Sequence, residues 1–250
     1  MFRTLVVIAV SSFSSMAFAQ SSLGITGAQI SLGQVQDEAG SAQTEVVASV
    51  DTAITSVHGL QTDLSFADTE GGAIGTLGAH LYLAPRDGQK YGLFATLSDV
   101  DGRAMTWGAL GAEGQLSWGM DTVAELYAGI GVADTSGLDF IFGGVSVAHS
   151  ITQQIELVGT LDLAEFDEAS FRAISYDAGL SLHYSPEGAP WGVYASLNHS
   201  GLEGRDGTGG DTRIGLGFSL RFGNAGGSNP HTRHFRSKDP VAQLLRRGIY

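Results

Sequence analysis

The sequence predicts an all-β fold, a transmembrane antiparallel up-and-down β-barrel of about 12 strands (range about 10–14). Three observations lead there. Residues 212–222 alternate strictly, with Ile214, Leu216, Phe218, Leu220 and Phe222 separated by Arg213, Gly215, Gly217, Ser219 and Arg221. Such alternation puts one kind of residue on each face of a strand. The chain opens on a secretory signal, yet no later apolar run approaches the ~18 residues of a helical span. Its strand connections fall into two classes that alternate along the chain, as an up-and-down barrel requires.

The signal is expected to occupy residues 1–19. Arg3 supplies the positive region, Leu5 to Val10 most of the apolar one, and Ala17-Phe18-Ala19 a small-x-small cleavage site, so the exported chain begins at Gln20. There is no cysteine. For an exported chain this excludes both a disulfide scaffold and thiolate chemistry. The length suffices for folding without staples. Glycine accounts for 36 of 250 residues, about twice the usual ~7%. Much of it sits inside alternating runs, where it would waste packing in a soluble two-layer sheet. In a closed, tilted barrel glycine permits bending and keeps a small lumen open.

Twelve runs are predicted as strands: 23–35, 44–54, 57–68, 73–85, 90–101, 104–118, 121–134, 137–150, 153–165, 171–185, 190–200 and 211–222. Most reach the ~9–11 residues that a tilted strand needs to cross a bilayer. One class of connection is tight: Thr55-Ser56, Pro85 to Gln89, Gly119-Met120, Thr152 and Ser185 to Pro190. The other is acidic: Asp37-Glu38, Asp68 to Glu70, Asp99 to Asp101, Asp134, Glu165 to Glu168 and Glu203 to Asp211. Both termini then lie on the tight-turn, periplasmic side, and the acidic loops face outward. Tyr91, Trp118, Tyr184, Trp191 and Phe222 fall at the tight-turn strand ends, with Phe66, Phe140 and Phe171 near the opposite ends. Two aromatic belts are expected of a lipid-facing barrel. Trp107 breaks the pattern, because its parity is opposite to that of Trp118.

Short motifs carry a resemblance. His58-Gly-Leu-Gln-Thr-Asp63, Gly78-Ala-His-Leu-Tyr82, Pro85, Tyr91-Gly-Leu-Phe94 and Gly111-Ala-Glu-Gly114 resemble strand pieces of the small porin-like outer-membrane β-barrel proteins of Gram-negative bacteria. The resemblance covers most of residues 45–222. It implies a barrel fold, the outer membrane of a Gram-negative cell and passive transport. Members usually end at the terminal aromatic of the last strand, whereas here Phe222 is followed by a tail that runs on to Tyr250. Three regions result: the signal at 1–19, the barrel at 20–223 and a basic periplasmic tail at 224–250, flexible with room for a short helix.

Parity assigns the lumen. With Leu110, Ala112, Leu116 and Trp118 outward, Glu113, Gln115 and Ser117 point in. With Leu126, Ala128 and Ile130 outward, Glu125, Tyr127 and Gly129 point in. Glu156, Thr160 and Asp162 follow on the next strand but one, then Asp177, Ser181 and His183. Asp63, Glu45, Arg213 and Arg221 complete the set. The expected pore lining is therefore Asp63, Glu113, Glu125, Glu156, Asp162, Asp177, Arg213 and Arg221. Acidic rings favour cations, so a cation-leaning channel for small solutes is one reading. The other is a structural or adhesive barrel whose acids pair with Arg213, Arg221 or Arg172 in a packed lumen. Residues 138–151 are apolar on both parities and cannot be oriented from the sequence.

The net charge of −13 is unevenly placed. The body carries the acid excess, whereas the tail holds Arg233, Arg236, Lys238, Arg246 and Arg247 against Asp239. An acidic body argues against nucleic acid as a partner. The partners expected are outer-membrane lipid and small solutes or cations. Within the tail, Asp239-Pro240 has the form of an N-cap followed by proline at the first helical position. Val241, Leu244 and Leu245 would share one face, and Arg246-Arg247 suit the C-terminal end of the dipole. Such a segment can plug the acidic lumen from below, bind an anionic membrane surface or hang free. Charge complementarity places residues 233–247 at the periplasmic mouth, partly occluding it.

No catalytic set is expected. His149-Ser150 and His199-Ser200 are adjacent pairs, which a strand points to opposite faces, so neither makes a nucleophile–base contact by itself. The histidines lack metal-ligand spacing, and no phosphate or dinucleotide motif calls for a cofactor.

Overall fold

The computed structural model describes residues 24–69, 71–102, 104–134, 138–167, 171–226 and 229–246. The expected signal and Arg247 lie outside the described residues. Twelve strands follow in order: β1 (Ile25–Gln36), β2 (Ala42–Ala53), β3 (His58–Thr69), β4 (Gly72–Arg86), β5 (Gln89–Val100), β6 (Thr106–Trp118), β7 (Thr122–Ala133), β8 (Asp139–Ser150), β9 (Ile155–Asp167), β10 (Arg172–Tyr184), β11 (Trp191–Glu203) and β12 (Thr208–Gly223). Each pairs antiparallel with its sequence neighbours, and β1 closes the barrel on β12, where Leu32 faces Phe218 and Gln36 faces Ile214. Closure leaves no strand edge to satisfy, a condition for placing a sheet in lipid.

The tight turns repeat one chemistry twice. In both Ile54–His58 and Ile151–Ile155, a threonine hydroxyl accepts backbone N–H groups while the two residues before the turn bond the carbonyl that follows it. Two other tight turns use left-handed glycine, Gly88 (φ +80°) and Gly119 (φ +73°), where a side chain would be strained. At the acidic end the strands run further than expected, taking in Asp68 and Glu165, and the difference is greatest at one loop. The sequence predicts an acidic connection from Glu203 to Asp211, but β11 extends to Glu203 and β12 starts at Thr208. The Asp206 carboxylate accepts the Arg172 N–H at 2.7 Å and an Arg205 N–H at 3.0 Å, which hold it below the usual carboxylate range and tie the turn to β10.

Outward residues form the apolar band that lipid requires. Leu93, Leu110, Leu126 and Leu216 are all at least 60% exposed, a surface that water would not tolerate. Tyr91, Trp118, Tyr184 and Trp191 sit on this surface at the tight-turn end, and Phe66 at the other. Phe140 and Phe171 do not belong to that outer belt. Both are buried inside the barrel.

They are buried because the tail is inside too. It leaves β12 at the tight-turn end, where Asn224 N–H bonds Thr26 O and the His231 ring meets Arg86 O. It then runs through the lumen to a one-turn helix, α1 (Ala242–Arg246), at the acidic-loop end. Val241, Leu244 and Leu245 are fully buried there among Ile74, Val100, Met105, Leu138, Phe166 and Leu202. Burying such a side chain stabilises by about 1.5–3 kcal/mol, which is why so short a helix persists. The same contact orients β8. Phe140 and Phe142 turn inward to this cluster while Ile141 faces lipid.

Candidate functional site

The lumen and the segment threaded through it form the candidate site. At its tight-turn end the Arg233 guanidinium donates to Glu156 at 2.7 Å, and Lys90 donates to the Arg233 carbonyl. Arg221 lies against Gly226 near this mouth. The next residue, His234, has its imidazole Nε2 2.9 Å from Asp51, and its carbonyl accepts the Gln115 amide at 3.0 Å.

At mid-lumen Phe235 is 2% exposed. The Gln61 side-chain amide pairs with its backbone in both directions, accepting the Phe235 N–H at 2.8 Å and donating to its carbonyl at 2.9 Å. The phenyl ring stacks on His80, with centroids 5.6 Å apart, and Lys90 lies 4.3 Å from its centre. His80 in turn bridges Asp63 at 2.8 Å and Glu113 at 2.7 Å.

Two cations follow. Arg236 makes a bidentate contact with Asp162, at 2.7 and 3.2 Å, and its backbone N–H donates to Glu125. Lys238 is ion-paired to Glu113, stands 3.8 Å from Glu125, and lies 4.8 and 5.0 Å from the ring centres of Phe94 and Tyr127. A buried ammonium is tolerated only with such full pairing, and ring faces add cation–π attraction.

Toward the acidic-loop end, Asp239 caps α1 by accepting the Ala242 N–H at 3.1 Å, as its residue type favours. It also accepts the Trp107 indole N–H at 3.0 Å and the Thr76 hydroxyl at 3.1 Å. The odd parity of Trp107 is thereby explained: it is a lumen residue that binds the tail. Gln243 and Arg213 both donate to Asp177, at 2.6 and 2.5 Å. Arg246 ends the helix and, with Arg213, Asp177 and Asn198, lines a cavity of about 370 Å³.

All eight residues read as pore lining thus lie on the inner face, but the tail occupies much of the space that they enclose and leaves the cavity beside Asp177 and Arg213. Glu113, Glu125, Glu156 and Asp162 contact it by ion pair, Asp177 through Gln243, and Asp63 through Gln61 and His80. Arg233, Arg236 and Lys238 are its cationic contacts. The expected placement of residues 233–247 at the periplasmic mouth needs correction. Only the part near His231 and Arg233 sits there, because the apolar face of α1 is drawn to the far end. Arg172 is not in the lumen either; it pairs with Asp167 at the exposed loop end. Sequence reasoning missed Asp51, Gln61, His80, Lys90 and Trp107. Asp51 shares the inward parity of Glu45, and Gln61 that of Asp63, but parity by itself does not mark which inward residues meet the tail.

His149 and His199 bond Thr122 and Thr212 on the outer face. In the lumen Ser181 and His183 lie 2.9 Å apart, but the His183 ring stacks on Tyr194. A nucleophile–base pair needs a third group to orient the base, and none is seen on His183 among the described residues.

No protein-family model matches the sequence, and no curated protein matches it. Solved structures do. The NanC porin superimposes with a TM-score of 0.58 at 10% identity, over 76% of this chain and 98% of that one. The COG4313 outer membrane channel from Pseudomonas putida F1 gives 0.56 at 12%, over 80% and 96%. The KdgM porin gives 0.54 at 10%, over 77% and 98%. The fold is that of the small outer-membrane porins.

Proposed function

We propose that the protein is an outer-membrane channel, exported with a cleaved signal, whose lumen is closed by its own C-terminal segment and favours cations when that segment is out. One observation carries this reading: the basic segment crosses the barrel interior with Arg233, Arg236 and Lys238 each on a lumen carboxylate. Vacated, those acids would face water, where an acidic lining attracts cations and repels anions. The porin fold agrees with a channel.

The full burial of Val241, Leu244 and Leu245 favours a second reading, a structural or adhesive barrel sealed for good. Planar-bilayer recording separates the two. The full-length chain should show rare current steps, and a Lys238→Glu/Arg236→Glu double variant frequent, larger ones. Silence from both, in barrels whose insertion is verified by heat-modifiable gel migration, removes the channel. Reversal potentials under a salt gradient test the selectivity. Cation preference should fall when Glu113, Glu125, Asp162 and Asp177 are replaced by Gln and Asn in the open variant.

A further inference from the structure

We infer that the lumen is a receptor for extended cationic peptides supplied by another molecule, and that residues 233–239 are its resident occupant. The inference rests on the reading that the segment can leave.

The lumen treats the segment as a peptide rather than as filler. Residues 233–239 have neither helix nor strand structure of their own. Four consecutive residues have their backbone bonded by lumen side chains: Lys90 to the Arg233 carbonyl, Gln115 to that of His234, Gln61 to both groups of Phe235, and Glu125 to the Arg236 N–H. Backbone contacts of this kind are available to any extended chain, whatever its sequence. Selectivity comes from what surrounds them. An aromatic ring at Phe235 meets a stacked imidazole, a base one residue on meets Asp162, and a base three residues on meets Glu113 beside the rings of Phe94 and Tyr127.

Apolar filling would close a barrel without these groups, and replacing buried ion pairs by apolar residues is often neutral or stabilising. A lumen that keeps carboxylates and amides in register with a peptide backbone therefore specifies its occupant. A site built to hydrogen-bond one partner rejects those that leave its polar groups unpaired. The docking of α1 is separate, since it uses the apolar cluster near the acidic loops. The tethered tail competes at an effective concentration on the order of mM, so a second peptide is bound only once the tether is cut or the tail displaced.

The test uses the full-length chain, with a protease site placed at the exposed Gly223-Asn224 junction and cut after the barrel has folded. Mass spectrometry after washing shows whether the fragment leaves. Labelled synthetic peptide 229–246 is then added, alongside a peptide that keeps Arg233, Phe235, Arg236, Lys238 and residues 239–246 with alanine elsewhere, and one with glutamate at the three basic positions. The first two should bind saturably at one per barrel and within tenfold of each other, and the third should not bind. Glu113→Gln should weaken binding at least tenfold, with Gln115→Ala as a second variant if that barrel misfolds. A fragment that never leaves overturns the channel reading and the receptor together. A fragment that leaves, followed by binding of its own sequence alone or equal binding of the acidic peptide, overturns the receptor and leaves the channel standing.

Discussion

Two walls of the same lumen treat the tail differently. From β4 to β8 the inward residues are large: His80, Phe94, Trp107, Glu113, Tyr127 and Phe142 all reach the segment or the apolar cluster around α1. From β10 to β12 small residues, Gly179, Ser181, Ser196 and Asn198, are interspersed with Asp177, His183, Tyr194 and Arg213, and this wall borders the cavity instead. Acidic residues stand on both walls, so charge alone does not decide where the segment lies. Side-chain size contributes. Long side chains bridge the gap to the tail, whereas glycine and serine leave it open to water.

This contrast can be broken from the packed wall first. Lys238→Glu would bury a carboxylate between Glu113 and Glu125. Breaking a buried pair costs about 3–5 kcal/mol, so the tail should become protease-sensitive in inserted barrels; unchanged resistance would contradict the pairing. Leu244→Ala and Leu245→Ala should each cost about 2–5 kcal/mol of docking by leaving a cavity. Faster hydrogen exchange confined to α1 and its neighbours would register it.

The open wall sharpens the contrast. Leu180→Arg puts a charge into lipid at about 2–4 kcal/mol, whereas Ser181→Arg projects into the cavity. Folding yields in vesicles should fall sharply for the first and little for the second, and equal yields would remove the face assignment. Arg233→Ala, at the partly exposed mouth, should loosen the tail by only about 0–1 kcal/mol. Raising salt should act mainly on the Arg233 and Arg236 pairs, because the fully buried Lys238–Glu113 pair is screened far less. Smallest of all is Ser196→Ala, expected within about 0.5 kcal/mol by denaturant titration.

Much of the barrel was legible in the chain. A side-chain period of two, broken by threonine and glycine turns, sets strand number, neighbour pairing and which face meets lipid, because these depend on residues close in sequence. Glu113, Glu125 and Asp162 could be placed inward on parity alone. Even Trp107 and the doubly apolar run of β8 were visible as irregularities, yet without an occupant they had no interpretation.

What the tertiary structure alone decided is the path of the tail. Asp-Pro followed by Val241, Leu244 and Leu245 announces a capped helix with one apolar face, but no local pattern says where that face finds its partner. Closure brings β4, β6, β8 and β9 around one axis, and only then do Ile74, Trp107, Phe140 and Phe166 form a single apolar cluster at the acidic-loop end. A helix too short to persist alone goes where burial stabilises it most. The extended cations behind it are thereby drawn along the lumen, past carboxylates that neighbour one another in space and not in sequence.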